Sequence, residues 1–168
     1  AIFVSANAQA AIQQTAFVGN RATLAGGAIF VDTGCGGNFV DADFRDNAAG
    51  HNGGALAAVN ATVAVSSSTF AVNSVGRTNG THDRARRRLS HDEYHGYFGQ
   101  GMGGAMFLHG SVSFAEDVVF YRNLATVAGG AVYTLQGQTI LDQSVMRQNR
   151  VSPDCSFVPG DNSSCGIG

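Results

Sequence analysis

Apolar residues in this chain come in short runs. No segment places them at i, i+3, i+4 and i+7 over ten positions, so no amphipathic helix is predicted. The runs are rich in β-branched and aromatic residues and are bounded by Gly, Asn, Asp and Ser, which predicts short strands and tight turns. The runs also repeat. Gly-Gly-Ala begins at Gly26, Gly53, Gly103 and Gly129, each time followed by an aliphatic residue: Ile29, Leu56, Met106 and Val132. Phe-x-x-Asn alternates with it, at Phe17/Asn20, Phe44/Asn47, Phe70/Asn73 and Phe120/Asn123, with a Met146/Asn149 variant. From Phe to Phe the spacing is 27, 26 and 50 residues, then 26 to Met146, a period of 26–27 with one interruption. Asn73 precedes its Gly pair by 30 residues where the other copies have 6, so 24 residues are inserted within 74–101.

A helical leucine-rich repeat could have this period, but the strand-like content decides against it. Two or three short strands per unit, stacked in register, predict an all-β fold: a parallel β-helix of about five coils, roughly 24 Å tall at about 4.8 Å per coil. Ile2, Ile29, Leu56, Met106 and Val132 form one column, and Val4, Val31, Ala58, Leu108 and Thr134 form another two residues on; both are expected to face the interior. The motif Phe should point inward as well. Asn20, Asn47, Asn73, Asn123 and Asn149 would then stack as an amide ladder, each side chain bonded to those above and below. Phe3, Phe30, Ala57, Phe107 and Tyr133 alternate with the aliphatic column. They are either an outward aromatic stripe needing a cover or, in the opposite phase, part of the core.

The alternation of Gly-Gly-Ala-aliphatic with Phe-x-x-Asn resembles the polymorphic outer membrane protein (Pmp) repeat known from chlamydial autotransporter adhesins. The resemblance covers nearly the whole chain apart from the insert and the tail. It implies a right-handed parallel β-helix at the cell surface, acting in adhesion or as a structural stalk.

Composition narrows the function classes. The chain has 168 residues, of which 44% are hydrophobic, only 13% are charged and 23 are Gly. A net charge of −2 lacks the basic excess that phosphate backbones require, so no nucleic-acid partner is expected. No apolar run is long enough to predict a membrane span in this segment. Three sequons, at Asn60, Asn79 and Asn162, point to N-linked glycans and thus to a secretory route. Cys155 and Cys165 could close a short disulfide loop in the tail, 152–168, leaving Cys35 either as a free thiol in a turn or bonded to another segment or chain.

The insert carries five of the ten Arg and three of the five His. Arg84-Ala85-Arg86-Arg87-Arg88 resembles a proprotein convertase site, with cleavage after Arg88; the alternative is a solvated basic loop meeting acidic glycans or an acidic neighbour. His91-Asp92-Glu93-Tyr94-His95 lacks the Glu that a zincin needs directly after its first His, so no metal or other cofactor is expected.

Polysaccharide lyases, hydrolases and epimerases also use β-helices, with carboxylates and basic groups clustered on neighbouring coils. Here the column three residues before the motif Phe reads Gln14, Asp41, Ser67, Asp117 and Gln143, and no basic column accompanies it. Asp41 and Asp43 form an acidic strand end, either solvated or a Ca²⁺ site. No catalytic residue is therefore assigned, and the enzyme reading stays as the alternative, together with polysaccharide binding. The chain opens inside a repeat and stops near where another would begin, so residues 1–168 are expected to be part of a longer solenoid or to stack end to end or laterally with other chains. The reading is a non-catalytic extracellular or cell-surface β-helix: a stalk, filament subunit or adhesin.

Overall fold

The structure is a computed structural model that describes residues 1–76 and 101–152. Every strand among them pairs in parallel, and the chain winds as a five-coil β-solenoid. The first coil consists of β1 (Ile2–Val4), β2 (Gln9–Gln13), β3 (Ala16–Val18) and β4 (Arg21–Ala22). In the second, β5 (Ile29–Val31), β6 (Gly36–Val40), β7 (Asp43–Arg45) and β8 (Ala48–Ala49) repeat that order. The third holds β9 (Leu56–Val59), β10 (Thr62–Ser66), β11 (Thr69–Ala71) and β12 (Ser74–Val75). The fourth holds β13 (Met106–His109), β14 (Val112–Glu116), β15 (Val119–Tyr121) and β16 (Leu124–Ala125). The fifth ends the series with β17 (Val132–Leu135), β18 (Gln138–Asp142), β19 (Val145–Arg147) and β20 (Arg150–Val151).

Corresponding strands form four five-stranded sheets, here A to D in chain order. Each coil therefore has four strands, not two or three. The one that sequence reasoning missed is the two-residue strand after the motif Asn, too short to show any alternation. Pairing is in register throughout: Ile29 opposes Ile2 and Leu56, and Phe70 opposes Phe44 and Phe120. Residues of β12, expected to open the insert, instead pair with β8 and β16, and Met102 bridges Asn52 and Ala128. The solenoid is thus continuous on both sides of residues 77–100.

The core is the inside of the winding. Ile29, Val31, Leu56, Ala58, Met106 and Leu108 fill it from sheet A, and Phe39, Val65 and Ala115 from sheet B. Sheet C contributes the motif phenylalanines, whose rings stack along the axis. Centroid separations are 4.9 Å for Phe17–Phe44, 4.4 Å for Phe44–Phe70 and 5.2 Å for Phe70–Phe120, with planes within 14°. Near-parallel stacking follows from the parallel register, which offsets identical rings by one coil spacing.

Each coil turns at four corners, and each corner holds a residue in the left-handed region. Between sheets B and C these are Gln14, Asp41, Ser67, Asp117 and Gln143; between C and D they are Gly19, Asp46, Val72, Arg122 and Gln148. The conformation bends the chain while aiming the N–H along the axis: Asp41 N–H donates to Ser66 O, Asp46 N–H to Ala71 O and Val72 N–H to Tyr121 O. The D-to-A corner uses the Gly pair, and its two members are required for different reasons. Gly53 has φ +62°, while a Cβ on Gly54 would collide with the backbone of Gly104 and Ser74. The first glycine makes the bend. The second lets adjacent coils and the preceding strand close on one point.

Two stability predictions follow from the corners. Val72, at φ +58°, is a β-branched residue in a region that costs an L-residue about 1–2 kcal/mol. Replacing it by Asn or Gly should stabilise the solenoid by about 1 kcal/mol, read as a higher urea midpoint at unchanged m-value. Gly54→Ala should destabilise it by about 1–3 kcal/mol or more through overpacking against backbone; an unchanged midpoint would contradict the close approach.

Candidate functional site

The most ordered side-chain chemistry lies at the C-to-D corner, where the motif asparagines stand in one column. Each Nδ2 donates once to the next asparagine: Asn20 to Asn47 Oδ1 (3.0 Å), Asn47 to Asn73 (2.9 Å), Asn73 to Asn123 (3.0 Å) and Asn123 to Asn149 (2.9 Å). Its second hydrogen goes back one coil to the motif residue's carbonyl: Asn47 to Phe17 O, Asn73 to Phe44 O, Asn123 to Phe70 O and Asn149 to Phe120 O. Each Oδ1 also accepts the backbone N–H of the preceding asparagine, as Asn73 Oδ1 does from Asn47 N at 3.0 Å. A buried amide thus uses two donors and two acceptor sites, and the backbone contact fixes which atom is oxygen. Asn47, Asn73 and Asn123 are fully buried. Every amide dipole points the same way along the axis, so neighbouring bonds polarise one another.

The phase of the aromatic column is settled by the core. Ile29, Leu56 and Met106 belong to the interior cluster, whereas Phe30, Ala57 and Phe107 do not. The aromatic column therefore lies on the outer face of sheet A. Its rings stack in pairs, Phe3 on Phe30 at 5.5 Å and Phe107 on Tyr133 at 6.0 Å, with Ala57 between the pairs. It is not uniformly open: Phe3 is 64% exposed, Phe30 half-buried, and Ala57 and Phe107 buried.

Asp41 and Asp117 are corner residues with positive φ, which gives a backbone reason for short polar side chains in that column. Asp43 forms an exposed ion pair with Arg45 at 2.7 Å. Among the described residues no group of three or more His, Cys, Asp and Glu side chains could hold a metal ion. Of the two readings of Cys35, a free thiol or a bond to another segment or chain, the structure shows the free thiol. It is buried in the interior cluster with its Sγ 3.7 Å from Thr33 O, so the thiol faces the core. Asn60 is exposed at the A-to-B corner. Asn79, Asn162, Cys155, Cys165, Arg88 and the insert histidines lie outside the described residues.

With the two motifs placed, at the D-to-A corner and along sheet C, the family comparison can be read on the coils. The family model described as the Chlamydia polymorphic membrane protein (Chlamydia_PMP) repeat matches residues 14–32 and 117–135. Two stretches of this chain are thus similar to the Chlamydia_PMP repeat. Each match starts at the corner residue before sheet C, Gln14 or Asp117, runs through Phe-x-x-Asn and the Gly pair, and ends in or just after sheet A. The matched unit is therefore one Asn rung, one D-to-A bend and the next sheet A strand. No curated protein and no solved structure matches the chain.

The ladder makes a graded prediction. Asn73→Ala removes four hydrogen bonds and leaves Asn47 N–H and one Asn47 Nδ2 hydrogen buried without partners, while Phe44 O loses its second donor. At about 1–3 kcal/mol for each orphaned group, the loss should exceed about 2 kcal/mol. Asn20→Ala, at a partly exposed rung, should cost about 1 kcal/mol. Equal losses in urea unfolding would show that the ladder is not the source of the difference.

Proposed function

We propose that this chain is a stretch of a non-catalytic cell-surface β-solenoid, a stalk that associates along its flank with other protein chains. The observation that carries the reading is the registered stack itself. All four sheets keep register through five coils, and the buried chemistry (Asn rungs, Phe stack, Gly bends) repeats once per coil and serves the rod. Such a rod lengthens by adding coils, and its outward columns vary without disturbing the interior. The Chlamydia_PMP match, to a repeat of membrane proteins, supports the surface location and a role without catalysis.

The outer face of the fourth and fifth coils supports association. Phe114 (49% exposed) and Ile140 (39%) are register partners on sheet B, flanked by exposed Val112 and by the paired Val119 and Val145 on sheet C. An apolar strip along a rod favours a partner that also runs along it, and a second copy offers the same strip. Sedimentation velocity should show concentration-dependent association that is lost in Phe114→Asp with no change in melting midpoint. A wild-type protein that remains monomeric and binds no surface protein would overturn the stalk reading; a monomer that binds a foreign surface protein through Phe114 would make the chain an adhesin.

A further inference from the structure

We propose that Asn60 is an N-glycosylation site whose glycan stands at the corner between sheets A and B of the third coil. The sequon is Asn60-Ala61-Thr62, but the geometry carries the proposal. Asn60 sits between β9 and β10 with φ +46°, its N–H donating to His109 O at 2.7 Å and its C=O accepting the Gly34 N–H at 3.0 Å. The backbone is therefore tied to the coils on both sides. The side chain is exposed and makes no hydrogen bond with any described residue. The ladder asparagines are engaged as above, and so is Asn52 through its Oδ1, which accepts the Met102 N–H.

Space at this corner is the second observation. Coils are about 4.8 Å apart, less than the width of a hexose, so side chains on adjacent coils would collide with a sugar rooted between them. The two neighbours of Asn60 in the corner column are Gly34 and Gly110. A Cβ on Gly110 would fall on Asn60 Oδ1, so the carboxamide lies over a residue that has no side chain. Ala61 is buried and Thr62 exposed, which keeps the hydroxyl of the sequon on the outer surface. Thr62 opposes Val112, so the sugar would stand beside the apolar strip of sheet B and limit the angle from which a partner reaches it.

The donor is a lipid-linked pyrophosphate oligosaccharide. Asn60 Nδ2 forms a bond to the anomeric carbon, the bond from that carbon to the pyrophosphate oxygen breaks, the lipid pyrophosphate leaves, and one amide proton is released. The product fits the folded coil because Nδ2 gives up no hydrogen bond to accept the sugar. A ladder asparagine could not react without giving up one of its Nδ2 hydrogen bonds.

The test is peptide mapping of the full chain secreted from eukaryotic cells, with N-glycosidase release in ¹⁸O-water marking each occupied Asn as labelled Asp. Label at Asn60 is expected, abolished in Asn60→Gln and in Thr62→Ala but retained in Thr62→Ser, with the same circular dichroism spectrum in all four proteins. Unlabelled Asn60 in the folded, secreted protein overturns the proposal, whether or not Asn79 or Asn162 is labelled.

Discussion

A carboxamide buried in a protein interior must place two hydrogens and two acceptor sites, and at the C-to-D corner of this solenoid it does so because an identical carboxamide lies one coil away. Asn73 meets that condition on both sides, through Asn47 and Asn123, and reaches back to Phe44 O. The column consequently admits one register. A slip of one residue between coils would point side chains at the wrong face and leave buried amides unpaired, two penalties that arise together. The Phe stack beside the ladder and the aliphatic columns of sheets A and B depend on that register, since each is a line of like residues offset by one coil.

The corners follow from the same requirement. To bring the next rung beneath the last, the chain must close a full winding in 26 or 27 residues while keeping its N–H groups along the axis, and one left-handed residue per corner does this. Most of these residues are Gly, Asn, Asp, Gln or Ser; Ala6, Val72 and Arg122 show that the register can hold even residues that disfavour the conformation. At the D-to-A corner two constraints coincide, a bend and a backbone crossing, and only there is the residue pair invariant among the coils. The insert leaves from that corner and the chain rejoins it at Gly101 and Met102, with Asn73 and Asn123 still bonded across it.

A rod built this way separates stability from recognition. The interior repeats, while the outer columns are free to differ from coil to coil: Asn38, Ala64, Phe114 and Ile140 occupy equivalent outward positions on sheet B. Variation of that kind suits a surface element whose flank is read by others. The Asp column that could suggest carbohydrate chemistry has a simpler cause, because Asp41 and Asp117 occupy positions where the backbone itself favours short polar residues.

Much of the fold was legible because identical requirements recur at identical spacing: the 26–27-residue period, the interior columns and the Asn line could all be read from Gly-Gly-Ala and Phe-x-x-Asn alone. Features that depend on a single coil or on an angle were not. The two-residue strands of sheet D carry no periodicity, so the four-sided cross-section emerged only from pairing. Cys35 reads as a turn thiol among glycines, yet the turn directs it inward. The aromatic column had two permissible phases until the interior cluster excluded it, and Asn60 differs from the ladder asparagines only in where the backbone aims its amide. The sequence by itself determined the repeat, its length and the residues that must touch between coils, because register converts spacing into contact. Tertiary structure decided which side of each strand is inside and which polar groups stay unbonded, because those depend on how each corner turns.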